Sequence, residues 1–350
     1  DLAGDRIAPL DFDEADDGFD PGGIYVIAPP APEAFLPELV TVRVVFQGAV
    51  IGTHPYAYRD MMAPIGDGLT FTSGDNVLNN VSVINFPGSG VVVSGTDATG
   101  NMIGNCAISG NGVNGIHLGT GASANMIGDE NTINNNQVNG ILVENSSGNS
   151  VGINNVIGSN SGDGIQITGT GATGNMIGAG NTITNNGDDG IEVSGGASGN
   201  AVSDGNTITG NGGAGVLVDG VDATGNSILG NSIFDNTGLA IDLENGANGG
   251  IEAPVITQVF PVVQGTGPAN ATIQIFTDNG ADGETLVDTV NADFDGNFAS
   301  TFVPMLNEGL NMTATATDAA NNTSEFGAPF AIVFSVPEVT LNGASSLTIE

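Results

Sequence analysis

Asparagine returns along this chain at a fixed interval, and that interval constrains the fold more than any other feature. Asn-x-(Ile/Val/Leu) sites fall at Asn76, Asn101, Asn125, Asn149, Asn175, Asn200 and Asn226, 24–26 residues apart. A second series, Asn131, Asn155, Asn181, Asn206 and Asn231, keeps the same period, as does a third at Asn111, Asn136, Asn160, Asn186, Asn211 and Asn236. Short apolar runs repeat with them: GVVV, GIHL, GILV, GIQI, GIEV, GVLV and AIDL, beginning at Gly90, Gly115, Gly140, Gly164, Gly190, Gly215 and Ala240. Each unit holds two or three runs of period-two alternation parted by Gly and Asn, too brief to fit helices between strands. Stacked units place equivalent residues about 4.8 Å apart. The Ile/Val/Leu columns then fill an interior, and the Asn columns form amide ladders at corners, where Asn tolerates left-handed backbone. The expected fold is all-β, a parallel β-helix of about seven coils over residues 68–250.

The segment GLTFTSGDNVLNNVSVINFPGSGVVVSG (68–95) and the units after it resemble the right-handed parallel β-helix repeat proteins of bacterial surfaces and secretions, which share the pectate-lyase-like fold. FLPELVTVRVVFQGAVIG (35–52) is similar to the lead-in of that family, so residues 24–67 are expected to form an N-terminal cap. The resemblance identifies a fold more than an activity, because this fold hosts lyases, hydrolases, adhesins and fibre subunits.

Beyond residue 250 the pattern changes to alternating strands joined by turn residues. DFDGNF (293–298) and TATDAANNTSEF (315–326) resemble bacterial immunoglobulin-like modules, which implies a sandwich over 251–333. Residues 1–23 read as an acidic arm. The last residues, 334–350, form two strand-like runs around Asn342–Gly343, either the start of a further module or strands that complete a sheet in a neighbouring molecule. In that second case Val339, Leu341, Leu347 and Ile349 are the assembly residues.

Composition narrows the partners. Thirty-nine acids face three arginines (Arg6, Arg43, Arg59) and no lysine, for a formal charge of −36. Nucleic acid and anionic membranes are therefore poor partners, since phosphate contacts need Lys or Arg. Lysine–asparagine cross-links are excluded, and Cys106 alone cannot form an internal disulfide. No run approaches the ~18 apolar residues of a membrane span. An opening at Asp1 without a basic or apolar leader predicts a processed chain, secreted or displayed on a cell surface.

Aligning the coils exposes the candidate chemistry. The residue before the Gly column runs Ser89, Asn114, Asn139, Asp163, Asp189, Ala214, Leu239; two places after it run Val92, His117, Leu142, Gln166, Glu192, Leu217, Asp242. Asp163, Asp189 and Glu192, with Asp188 beside them, thus form an acidic patch over two adjacent coils. Stacked carboxylates about 5 Å apart suit a retaining glycosidase pair, and wider ones suit an inverting pair. The resemblance to polygalacturonase-type β-helices stops at the acids: those enzymes also use a His and an Arg/Lys pair. His117 lies three coils from Glu192, roughly 14 Å away. Pectate-lyase-like elimination needs an Arg or Lys base, which this face lacks.

A hard cation would relieve the repulsion, so Asp188, Asp189 and Glu192 are calcium candidates, with Asp11, Asp13 and Asp17 of DFDEADDGFD as a second set. His54 is expected in a cap, and Met102, Met126 and Met176 to fill or flank a corner. The leading expectation is a non-enzymatic extracellular structural or adhesive protein, a filament subunit joined to copies of itself or to other surface proteins. The alternative is a polysaccharide-binding or glycoside-cleaving protein using Asp163, Asp189 and Glu192 on a neutral or calcium-bridged glycan.

Overall fold

The computed structural model describes residues 45–47, 50–52, 66–300 and 309–333. Asp11, Asp13, Asp17, His54, Val339, Leu341, Leu347 and Ile349 lie outside the described residues.

Three eight-stranded parallel sheets wrap one interior. The first begins Val45–Gln47, Val77–Asn79, Met102–Gly104 and ends at Ser227–Ile228; the second runs from Val50–Gly52 to Ser232–Phe234; the third from Leu69–Phe71 to Ile241–Glu244. Register is one coil per rung: in the third sheet Ile116, Ile141, Ile165, Ile191, Val216 and Ile241 pair in succession. This is the parallel β-helix read from the repeat. In the inner coils the inward residues of all three sheets are sealed from solvent, with Ile127, Ile133 and Ile141, one from each sheet, all at 0% exposure. Each such side chain contributes about 1.5–3 kcal/mol of burial. The glycine that opens each third-sheet strand has a steric cause, since a Cβ on Gly140 would meet Gly164 O and Ile157 Cγ2 at 2.6 Å.

All three asparagine series form ladders. In each, the backbone N–H and the side-chain Nδ2 of one rung donate to Oδ1 of the next, as from Asn131 to Asn155 (2.8 and 2.9 Å) and from Asn136 to Asn160 (3.1 and 2.9 Å). Left-handed backbone is not their role. Positive φ belongs to the residue just before each rung, for example Glu130, Asn135, Asn154 and Asn185. One residue makes the turn and the next carries the amide, which needs its side chain inside the coil.

After a short 3-10 turn, Ala247–Gly250, the chain forms two small antiparallel sheets. One contains Val255–Gln258, Val263–Thr266 and Asn297–Ser300; the other contains Thr272–Asp278, Thr285–Asn291, Asn311–Thr317 and Phe330–Ala331. They share a core of Ile256, Val263, Ile273, Ile275, Phe298 and Met312. Among the described residues, no helix is long and apolar enough to cross a membrane.

Two minor expectations need correction or completion. Met102, Met126 and Met176 do share a column, with Ser150 between the last two. They neither fill nor line the interior: they face outward, 37%, 45% and 49% exposed, because the inward position belongs to the Ile that follows each. Cys106 heads the second ladder, its N–H bonded to Asn131 Oδ1 at 2.9 Å, and burial raises its thiol pKa, so it is unreactive.

Candidate functional site

A fourth column differs from the three amide ladders. At the turn into the third sheet, Asp67, Ser89, Asn114, Asn139, Asp163 and Asp189 each accept a backbone N–H from the following coil. The bond from Asp163 N to Asn139 is 2.8 Å, from Asp189 N to Asp163 3.0 Å and from Ala214 N to Asp189 2.6 Å. Polarity is reversed here: the side chain reaches forward to the next coil's N–H, with no amide donation between rungs. The column therefore asks only for an acceptor, which Ser, Asn and Asp all supply. That tolerance is what admits carboxylates at Asp163 and Asp189.

Burial makes those carboxylates unusual. Asp163 and Asp189 are 5% and 6% exposed, while Asp188 is exposed beside them. One oxygen from each of the three lies within 4.8 Å of the others, the only metal-sized group of this kind among the described residues. Glu192 stands outside that group. It takes a hydrogen bond from Gln166, which accepts one from Asn139 Nδ2 at 3.0 Å, and it stands close enough to Asp163 to raise that carboxyl's pKa. Gln166, which the column alignment placed without a role, thus ties the corner to the outward face of the third sheet.

Desolvation, then the charge and hydrogen bond of Glu192, push the Asp163 pKa up to about 8. Desolvation also raises Asp189, to about 6, partly opposed by the Ala214 N–H and reinforced by Asp188, Glu192 and Asp242. At neutral pH Asp163 is a protonated acid beside an accepting carboxylate. A raised carboxyl beside a second acid has the makings of an acid–base pair, and the three clustered oxygens are close enough together to share a hard cation.

The rest of the face mixes apolar and polar side chains: Val92, His117, Leu142, Leu217 and Asp242. His117 Nε2 lies 3.1 Å from Glu144 Oε2 and, by strand register, three rungs from Glu192, so it does not join the acids. Among the described residues, an interior void beside Leu118, Val143, Ile165 and Ile177 measures about 10 Å³, too small to serve a ligand. A cleft of about 460 Å³ between the last coil and the C-terminal sheets carries Glu252 and Asp318. Asp318 is committed to its own loop through Ala320 and Asn322.

Solved structures similar to this chain include two from Azotobacter vinelandii. The mannuronan C-5 epimerase AlgE4 A-module matches at 18% identity and TM-score 0.44, over 57% of this chain and 55% of that one. The AlgE6 A-module matches at 21% and 0.40, over 48% and 45%. A periplasmic alginate epimerase, AlgG, matches at 19% and 0.33, over 49% and 44%. The chain spans about half the length of these structures, and the likeness is one of fold. No curated protein matches the chain.

These findings overturn the leading expectation of a non-enzymatic adhesive protein or filament subunit, since the similar structures are by name epimerases of mannuronan and alginate. The model of the right-handed β-helix region matches residues 64–177 and 129–323, well over half of the sequence. The chain belongs to the right-handed β-helix family.

Proposed function

We propose that this chain binds and acts on a polysaccharide laid along the outward face of the third sheet, with Asp163, Asp189 and Glu192 at its centre. One observation carries the reading. The fourth column needs only an acceptor, and Asn114 and Asn139 supply it without charge, yet the next two rungs bury carboxylates against one another. Stability is given up there, as it is where a site must hold reactive groups. Protonated Asp163 would donate to a glycosidic or hydroxyl oxygen, and Glu192 would accept or stabilise developing positive charge. Asp163 and Glu192 lie on adjacent rungs, about 4.8 Å apart by strand spacing, which supports a retaining geometry over an inverting one, whose carboxyls stand ~6.5–9.5 Å apart.

No lysine or arginine occurs after Arg59, so a neutral glycan suits the bare face. The cluster of Asp163, Asp188 and Asp189 supports a second reading, in which calcium bridges these oxygens to a uronate. The two small antiparallel C-terminal sheets support an immunoglobulin-like module, and the proposal includes that module over 251–333, the coils over 68–250 and an extracellular setting for both.

Calorimetry against neutral and uronate polysaccharides, with and without calcium, tests the reading. Binding that falls at least tenfold in both Asp163→Asn and Glu192→Gln supports it. Uronate binding that appears only with calcium selects the second form. No binding or turnover on any glycan, or binding indifferent to both substitutions, contradicts it.

A further inference from the structure

The last coil ends in three open strand edges, which elsewhere in the helix are satisfied by the following coil. In the inner coils, Gly199 N donates to Thr224 O at 2.9 Å, Asn200 N to Asn226 Oδ1 at 3.1 Å and Gly205 N to Gly230 O at 2.8 Å. One coil later no such strand follows, and the same groups find partners in the C-terminal region. Gly225 N donates to Asn322 Oδ1 (2.6 Å), Asn226 N to Asn248 Oδ1 (3.1 Å) and Gly230 N to Gln274 Oε1 (2.9 Å). On the strands themselves, Ile228 N donates to Thr323 Oγ1 (2.9 Å), Ile233 N to Gly283 O (3.0 Å) and Leu243 N to Glu325 Oε1 (3.1 Å).

All three sheets are represented in that set. Asn248, wholly buried in the connecting turn, serves as a further rung of the first ladder, and its Nδ2 donates to both Asn226 O and Thr323 O. Apolar closure accompanies the polar one. Phe326 packs against the coil core and stands edge-on to Phe276 of the four-stranded sheet, with centroids 5.2 Å apart. Gly283 must be glycine for this approach, since a Cβ there would lie 2.2 Å from Phe326 Cζ.

We infer that the C-terminal region is a terminating cap that imitates the next coil. It occupies the interaction surface on which a second β-helix would otherwise add its first strands. Unpaired parallel edges are the ordinary route to strand addition between molecules, and a bonded edge is unavailable to it. The cap also couples the two folding units, because removing it would leave these N–H groups of the last coil without their acceptors.

Native-state hydrogen exchange on the whole chain, paired with sedimentation, tests this. In the unsubstituted protein the amides of Gly225, Ile228, Gly230 and Leu243 should be protected within about tenfold of Gly199, Val202, Gly205 and Val218, their inner-coil equivalents. Exchange at the rate of exposed turns would overturn the cap without any variant. Thr323→Val keeps the shape and removes the acceptor; it should speed exchange at Ile228 by about 10–100-fold while Val202 is unchanged. Combined with Asn322→Ala, it should yield concentration-dependent dimers. Unaltered exchange at Ile228, or a strictly monomeric double variant, would contradict the inference.

Discussion

Asn160 and Asp163 sit three residues apart in one coil, both nearly sealed from water, and the fold treats them in opposite ways. Asn160 is a rung that must both accept and donate: it takes bonds from Asn136 and gives its Nδ2 to Asn186 Oδ1 at 3.0 Å. Asp163 is a rung that must only accept, from Asp189 N. The ladder enforces amides in the first case and is indifferent in the second. Chemistry on this scaffold is therefore available where the backbone asks for an acceptor alone, and at this corner the chain has placed acids on that freedom.

Exchanging the two residue types tests the contrast most severely. Asn160→Asp removes a donor and places a carboxylate against the Oδ1 of Asn186, at a cost of about 3 kcal/mol in chemical denaturation at pH 7. Asp163→Asn should act in reverse, raising stability by on the order of 2 kcal/mol at pH 8 while abolishing glycan binding. A loss of stability in both variants would erase the distinction between the columns.

The pH dependence sharpens the comparison further. Asp163 and Asp189 hold their protons to about 8 and about 6, above the ~3.9 of an unfolded aspartate. The folded chain thus binds these protons more tightly than the unfolded chain. Their contribution to stability is full below about pH 4 and is lost as pH rises through 6 and then 8. Asp163→Asn should remove the decline between about pH 6 and 8 and leave only the share of Asp189 between about pH 4 and 6, measured by urea midpoints across the range. The smallest effect is expected at the head of the second ladder, where Cys106→Asn would let a side-chain amide reach Asn131 Oδ1. A gain below about 1 kcal/mol, read from the thermal midpoint, is expected.

Much of this arrangement could be read from the period alone. A repeat that aligns in register puts Asp163, Asp189 and Glu192 on adjacent coils, and the three asparagine series are ladders because amides recur where apolar columns pause. What the period could not reveal was direction. Nothing in the letters distinguishes an asparagine that reaches forward from one that is reached, so the acceptor-only nature of the fourth column, and the burial of its acids, waited for coordinates. The outward methionines had a signal that was overlooked, since Ile103, Ile127 and Ile177 claim the inward position by alternation. The closure of the last coil was illegible for a different reason. The residues that close it, Gln274, Asn322, Thr323 and Glu325, come from far along the chain and follow no repeat.

Carboxyl carbon NMR titration of the wild-type chain and Glu192→Gln tests the central claim most directly. The account predicts that Asp163 titrates near 8 and Asp189 near 6, and that Asp163 moves down when Glu192 loses its charge. Titration of both near 4, unmoved by the substitution, would make the fourth column a solvated stack of acceptors and contradict the claim that it holds protons for use.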